Sequence, residues 1–276
     1  MRTLKGKTIW ITGASSGIGK AVAKECYALG GRLVLSARNA ARLGDLREQL
    51  LSAEIGTNPD ESAQRIEIAP LDVEQSEEIA ATASRVLSRV GGIDIVIHSA
   101  GVSQRSAAAD TAGSVVRRIM ETNFFGVVAL TNELLPSFLA RGEGHIVVVT
   151  SAFGKIGAPG RSSYAASKHA LHGYFDSLRS ELPEGRIHLT LVVPGAVATG
   201  ISANAMKSDG SLHGVTDSGI AAGISPERCA RAIVRAILHR REEVYVGLGL
   251  RLRIAFALKY FAPRLLSRSL RKARIT

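Results

Sequence analysis

The stretch KTIWITGASSGIG, residues 7–19, decides the fold of this 276-residue chain. It begins as a short apolar strand, turns through glycines and continues into a helix whose Ile18, Val22, Cys26 and Leu29 share one face. A glycine turn between a strand and a helix lets the backbone approach a phosphate, which the N–H groups of the helix N-terminus bind. This context favours a nucleotide-binding turn over one that merely closes a loop.

The glycines of the turn follow the spacing G-x3-G-x-G, which differs from the commoner G-x-G-x-x-G. We expect the turn to hold the pyrophosphate of a dinucleotide, and the residues expected to contact it are Gly13, Ser15, Ser16, Gly17, Ile18 and Gly19.

The end of the second strand, Leu35 to Asn39, indicates which dinucleotide is bound. A carboxylate there would bind the ribose hydroxyls of NAD, but this strand end has none. Arg38 can instead clamp a 2′-phosphate, with Asn39 beside it, so the sequence predicts NADP(H). The alternative is that Arg38 is only a solvated charge. After the third strand, Asp72 could accept a hydrogen bond from the adenine amine beside Val73, or could cap the next element.

Apolar runs and helical patterns alternate along the rest of the chain. Strands are expected at 7–12, 32–37, 65–71, 94–98, 145–150, 187–193 and 244–246. The alternation predicts an α/β, single-domain Rossmann fold, with a doubly wound parallel sheet of about seven strands and helices on both faces. We expect an NADP-binding catalytic domain at 1–249, with a substrate lid at about 196–223 in a stretch rich in Gly, Ser and Ala, followed by a basic amphipathic tail at 250–276.

The net charge of +11 is concentrated in this tail, which holds eight basic residues and no acidic one. The rest of the chain is nearly balanced, which disfavours nucleic acid as a partner. Cys26 and Cys229 are far apart and form no metal motif. The N-terminus shows no apolar signal segment, so a cytoplasmic location is expected.

The tail is too interrupted by charge to span a membrane, and Pro263 should divide it into two helices. In the second helix one face is basic and the other carries Leu266 and Leu270; the basic residues are Arg264, Arg268, Arg271 and Lys272. Packing against the body of the protein or a second subunit is favoured. Peripheral contact with an anionic membrane is the alternative.

Tyr164 and Lys168 are the central chemical pair, because four residues along a helix place them on one face. A nearby ammonium stabilises a phenolate and moves the tyrosine pKa towards neutrality, where acid–base catalysis is possible. A pair with this spacing is by itself usually an ordinary helix surface, so its neighbours carry the argument.

Together with this pair, Thr12–Gly19, Asn123, Ser151 and Pro194-Gly195 resemble the short-chain dehydrogenase/reductase family in order and spacing. The resemblance runs from about Lys5 to Gly195 and continues more weakly to Val246. It implies oxidation of alcohols or reduction of carbonyls with a nicotinamide cofactor, in a homodimer or homotetramer. The expected substrate is a small carbonyl or alcohol compound, with a hydrophobic one favoured if the tail contacts a membrane.

The resemblance also implies roles for single residues. Tyr164 would be the general acid or base, Lys168 would lower its pKa and hold the nicotinamide ribose, and Ser151 would bind the carbonyl oxygen. Asn123 would hold a water that relays protons to Lys168. The alternative is that Asn123 only forms a helix kink and that Ser151 is only a turn serine at the end of a strand. Pro194, Gly195, Val197 and Thr199 would lie along the nicotinamide.

One motif departs from the family pattern. Asn-Asn-Ala-Gly is replaced by His98-Ser99-Ala100-Gly101 after the fourth strand. We expect Ser99, Ala100 and Gly101 to keep the turn beside the cofactor, and His98 to be structural. The competing hypothesis for the whole chain is a non-catalytic NADPH-binding regulator or scaffold, which the presence of both Tyr164 and Lys168 disfavours.

Overall fold

The computed structural model describes residues 3–53 and 64–271. Within them seven parallel strands form one sheet in the order β3-β2-β1-β4-β5-β6-β7. The strands are β1 (Thr8–Thr12), β2 (Arg32–Ser36), β3 (Ile66–Ile68), β4 (Ile95–His98), β5 (Gly144–Val149), β6 (Ile187–Pro194) and β7 (Glu243–Val246). The predicted doubly wound α/β fold is confirmed.

The helices connect these strands and cover both faces of the sheet. They are α1 (Gly17–Ala28), α2 (Ala40–Ser52), α3 (Ser76–Val90), α4 (Gly113–Met120), α5 (Gly126–Arg141), α6 (Ser162–Glu181), α7 (Ser218–Ala221), α8 (Pro226–Leu238), α9 (Leu250–Phe261) and α10 (Pro263–Arg271). Pro263 opens α10, so the two expected tail helices form; Lys272 and Arg274 lie outside the described residues.

The period-two alternation of the strands produces two cores. In β1, Ile9 and Ile11 point to the side covered by α1, α2 and α8, whereas Trp10 points to the side covered by α3, α5 and α6. Both faces are therefore apolar, as a parallel sheet covered on both sides requires. The expected helical stripe on α1 is confirmed, since Val22 and Cys26 are fully buried.

The third strand is shorter than predicted. It was expected over 65–71, but its ladder ends at Ile68. Pro70 follows this edge strand, and its missing N–H group faces away from β2. Backbone bonds from Ala69 to Leu35 and from Leu71 to Ala37 still hold the segment beside β2.

A five-residue π-helical turn, Glu121–Phe125, joins α4 and α5 into one long helical stretch. By length and composition alone, residues 113–141 could cross a membrane. In the structure Leu130, Leu134 and Phe138 of this stretch are buried in the core against the sheet. The stretch therefore serves as a core helix of the α/β fold.

The doubly wound topology places the polar residues of the site at one edge. Strand order reverses between β1 and β4, and the carboxyl ends of both open on the same crevice. The turn after β1, the turn after β4, the end of β5 and the start of the segment after β6 that is predicted to be the lid all meet there.

Candidate active site

Tyr164 lies in the first turn of α6, facing the end of β5. It is almost completely buried and shares a side-chain hydrogen bond with Ser151. Ser151 is fixed in turn, because its hydroxyl accepts a hydrogen bond of 3.1 Å from the N–H of Phe153. The ring of Phe153 meets the Tyr164 ring edge-on, with centroids 6.4 Å apart. The expected Ser151–Tyr164 pair is thus brought together.

Lys168 follows one turn later on the same face of α6. Its Nζ lies 5.9 Å from the centroid of the Tyr164 ring and donates a hydrogen bond of 3.0 Å to the carbonyl of Val149. Burial lowers the pKa of Lys168 to about 8. A buried amine that titrates near neutrality can take up or release a proton under working conditions.

The pKa of Tyr164 is set by opposing effects. Burial raises the pKa of its phenol, while the hydrogen bond with Ser151 and the positive charges of Arg105 and Arg161 lower it. Burial is the largest of these and the net direction is upward. The phenol is therefore held in its protonated form, as a proton donor requires.

Asn123 occupies the π-helical turn and is fully buried. Its amide group donates to the carbonyl of Val102 and to Ser167, at 2.9 and 3.0 Å, and its oxygen accepts from the N–H of Val102 at 2.8 Å. The widened turn thus ties α4 and α5 to the loop after β4 and to α6. A Cβ on Gly101 would lie 3.2 Å from the Asn123 oxygen and 3.5 Å from the Lys168 nitrogen, so both groups border the same small space.

The turn after β1 has no room for a side chain at two of its glycines. Gly13 has a φ of +68°, and a Cβ there would lie 2.7 Å from the backbone N of Ala100. A Cβ on Gly19 would lie 2.3 Å from the backbone oxygen of Gly13. Side chains are excluded at both positions by backbone atoms, which cannot move aside. Such a turn has the geometry of a phosphate cradle.

The altered motif after β4 keeps its turn. The backbone N–H groups of Ser99 and Ala100 donate to the hydroxyl of Thr12, at 3.2 and 3.4 Å. These bonds come from the main chain and do not depend on the asparagine that Ser99 replaces. His98 is buried beside Thr131 at 3.0 Å, and burial lowers its pKa to about 3, so it is a neutral structural histidine as expected.

A cleft of about 200 Å³ opens between the glycine turn and the start of the lid. Gly17, Lys20, Lys24 and Thr199 line it. Thr199 approaches closely, since a Cβ on Gly17 would lie 3.2 Å from its methyl group. Two lysines and free backbone N–H groups make this cleft suitable for a diphosphate.

Of the residues expected around the adenosine end of the cofactor, Arg38 is exposed at the crevice, whereas Asn39 and Asp72 bond to nearby backbone N–H groups. Arg38 is more than half exposed at the crevice, and its guanidinium lies 3.8 Å from Glu74. The side chain of Asn39 accepts the N–H of Arg42 and so caps α2. Asp72 accepts the N–H of Glu74 at 3.1 Å, which is the loop-capping alternative.

Residues at the end of β6 form the floor of the crevice. The N–H of Gly195 bonds to the carbonyl of Val246, and a Cβ on Gly195 would lie 2.5 Å from the backbone oxygen of Gly247. Pro194 ends the β6 ladder opposite Val246, and Val197 is buried in a bridge with Ile224.

Comparison with known proteins places this geometry in a family. The model of the short-chain dehydrogenases matches residues 7–210. The chain is 41% identical to dehydrogenase/reductase SDR family member 7B of Xenopus laevis over 262 residues, which is 95% of this chain and 80% of the relative. The chain belongs to the short-chain dehydrogenase family.

Two solved structures support this assignment. A short-chain dehydrogenase from Streptomyces avermitilis is 29% identical, with a TM-score of 0.78 and 96% of each chain covered. An alcohol dehydrogenase from the archaeon Thermococcus sibiricus, solved with 5-hydroxy-NADP, is 26% identical with a TM-score of 0.73, over 87% of this chain and 95% of that one. This dehydrogenase is thus an oxidoreductase of the class that acts on CH–OH and C=O groups.

Sequence reasoning missed a buried polar network that joins the predicted lid segment of this dehydrogenase to the loop after β4. Arg105, in the loop after β4, is 4% exposed at its side chain and binds Asp217 of the lid at 2.5 and 2.8 Å. It also donates to Ser202 at 2.8 Å, and Arg161 reaches the same carboxylate at 3.2 Å. In a sequence, charged loop residues of this kind cannot be distinguished from solvated ones. No local pattern therefore indicates that they are buried together.

Gln104 is the second missed residue, and it is completely buried. Its side-chain oxygen accepts the N–H of Ser163 at 2.8 Å, and its amide nitrogen bonds Thr111 at 2.9 Å. Arg161, the residue before α6, offers no side-chain cap, so Gln104 satisfies the helix N-terminus from another loop. The lid backbone joins this loop through the bridge between Gln104 and Met206.

Proposed function

We propose that this chain is an NADPH-dependent oxidoreductase that reduces a ketone or aldehyde to an alcohol, or catalyses the reverse reaction. The observation that carries the proposal is the buried arrangement of Ser151, Tyr164 and Lys168 at the carboxyl end of β5. A protonated phenol that is hydrogen-bonded to a fixed serine, with a titratable amine behind it, is suited to proton transfer to a carbonyl oxygen.

The residues of the crevice fit a nicotinamide dinucleotide. Gly13 and Gly19 have no room for a side chain, and the cleft beside Gly17 carries two lysines. Bound there, the cofactor would supply the hydride, which is its own chemistry. Pro194, Gly195, Val197 and Thr199 would lie along its nicotinamide half, with Ser99, Ala100 and Gly101 across the crevice.

NADP(H) is proposed over NAD because of Arg38. Its guanidinium is held only loosely by Glu74, at 3.8 Å, and more than half of its side chain is exposed. It is therefore available to pair with a 2′-phosphate, for which a planar guanidinium is well suited. Asn39, Asp72 and Val73 would border the adenosine, with Asp72 retaining one carboxylate oxygen beyond its bond to Glu74.

In reduction Tyr164 donates its proton to the substrate oxygen, and Ser151 holds that oxygen by a hydrogen bond. Tyr164 is left as a phenolate, which the ammonium of Lys168 stabilises and then reprotonates. Asn123 keeps the main chain of Val102 beside Lys168. It also holds a water that returns a proton to the Lys168 amine. Oxidation runs the same transfers in reverse, with Tyr164 as the base.

The substrate of this proposal is a small carbonyl or alcohol compound, and the enzyme works in the cytoplasm as a homodimer or homotetramer. Asp217 and Arg105 would hold the lid over the bound substrate and exclude water.

The test is titration of the purified protein with NADPH and NADH, followed by carbonyl turnover read at the nicotinamide absorbance. Tyr164→Phe removes only the hydroxyl and serves as the matched variant. The proposal expects tighter NADPH binding, turnover in the natural chain, and unchanged NADPH binding with turnover lost in Tyr164→Phe. NADPH binding without turnover of a broad carbonyl panel would favour a non-catalytic regulator instead.

A further inference from the structure

Helix α9 carries apolar residues on both sides, and one of these sides faces solvent. Leu250, Ile254, Ala257 and Phe261 follow the spacing i, i+4, i+7, i+11, which places them on one side of the helix. This side, the α9 apolar face, is open: Leu250 is 73%, Ile254 49% and Phe261 89% exposed. An ordinary surface helix is polar on the side that faces solvent.

The opposite side of α9 is the side that contacts the protein. The ring of Phe256 lies 6.0 Å from that of Tyr245 in β7. Lys259 donates to the carbonyl of Lys155 and lies 3.2 Å from the ring nitrogen of His169 in α6. These contacts fix the rotation of α9, so the exposure of its apolar face follows from how the helix is anchored.

Large exposed hydrophobic residues are concentrated at this place. Of the eleven in the described part of the chain, five lie within residues 250–265. They are Leu250, Ile254, Tyr260, Phe261 and Leu265. Single exposed hydrophobic residues need no explanation, but a contiguous group of this kind marks an interaction surface.

The charges around the α9 apolar face are all positive. Among residues 250–271 every charged residue is basic. Arg251 and Arg253 lie on either side of the face, at the spacing that a helix of 3.6 residues per turn gives. Arg264 and Arg268 are exposed on α10, and within the described residues none of these four guanidinium groups forms an ion pair with a carboxylate.

We propose that the α9 apolar face docks on an anionic lipid surface. Leu250, Ile254 and Phe261 would enter the boundary between headgroups and acyl chains, while Arg251 and Arg253 pair with lipid phosphates. An apolar stripe with flanking arginines is the pattern of a helix that lies in the plane of a membrane. The tail helix α10 takes a smaller part than its sequence pattern suggests, because Leu266 is buried against the protein.

A second copy of this chain fits the surface less well. A two-fold contact through this face would bring two copies of segment 250–271 together, and every charged residue of that segment is basic. Five exposed arginines of residues 250–271 would then approach each other with no acidic residue of that segment to compensate. An anionic bilayer complements both the apolar face and its charged border.

The experiment is flotation of the full chain with vesicles of phosphatidylcholine alone and of phosphatidylcholine mixed with phosphatidylglycerol. We expect the protein to float with the anionic vesicles and to be released by added salt. Arg251→Gln/Arg253→Gln should weaken this binding about 25-fold, or about fivefold per arginine near an anionic surface. The control Arg231→Gln/Arg235→Gln removes the same charge from the exposed side of α8 and should bind as the natural chain does.

Insertion of the face is tested with Phe261→Trp. The native Trp10 is fully buried, so a change in emission reports on the new residue. Anionic vesicles should shift its emission to the blue, whereas Leu212→Trp, on the exposed part of the lid, should not respond.

Three results would overturn the proposal. The first is equal flotation with both vesicle types, and the second is equal flotation of the two double variants. The third is a change in the sedimentation coefficient of Phe261→Asp without vesicles, since this would show that the face joins two copies of the chain. Circular dichroism of every variant separates loss of binding from loss of folding.

Discussion

Replacing Lys168 with Met should stabilise the folded protein while abolishing its activity. Burial lowers the pKa of Lys168 from its ordinary 10.5 to about 8, so the folded state disfavours the charged amine. The penalty is largest below the folded pKa and disappears above the unfolded one, amounting to about 3 kcal/mol at pH 7 and about 1 kcal/mol at pH 9.5. The lost hydrogen bond to Val149 offsets about 1 kcal/mol of the gain.

The assay is urea unfolding of the cofactor-free protein, followed by circular dichroism at pH 7 and at pH 9.5. We expect Lys168→Met to be more stable by about 2 kcal/mol at pH 7 and nearly equal to the natural chain at pH 9.5. Lys20→Met, at the half-buried surface of α1, is the control for the removal of a lysine outside the site core. A stability difference that stays constant between the two pH values would refute the reasoning, because it would show that burial does not disfavour the charged form of Lys168.

Other substitutions test the lid and the cofactor crevice. Asp217→Asn leaves the buried guanidinium of Arg105 without its counter-ion, which should cost about 3 kcal/mol and expose the lid to trypsin; the exposed Asp209→Asn should do neither. Arg38→Leu should weaken NADPH binding at least tenfold and leave NADH binding unchanged in fluorescence titrations, and equal losses for both would contradict its role. Gly19→Ala should abolish binding of either cofactor in the same titrations, because its Cβ would lie 2.3 Å from a backbone oxygen.

Much of the fold could be predicted because parallel strands and amphipathic helices carry local signals. The apolar runs at 7–12, 94–98 and 187–193 coincide with observed strands to within one residue. The helix expected to carry Tyr164 and Lys168 on one face is observed at Ser162–Glu181. β3 was overestimated, since the pattern of apolar residues continues to Leu71 whereas the strand ends at Ile68.

The candidate site was predictable where its residues come from short motifs. The glycine turn and the Tyr164–Lys168 pair each lie within a single strand–turn–helix or helix segment, so their spacing reflects their geometry directly. The assignments of Asn39 and Asp72 were less specific, because side chains at such turns can cap the backbone as well as bind a ligand.

The amino-acid sequence by itself determined the order of strands and helices, the glycine turn from Gly13 to Gly19 and the shared face of Tyr164 and Lys168. Each depends on residues close together in the chain. Only the tertiary structure decided that Arg105 meets Asp217, and which of the apolar sides of α9 faces solvent. Helical periodicity shows that a face is apolar, but its direction depends on the contacts that anchor the opposite face. In α9 those contacts come from β7 and α6, which are distant in sequence.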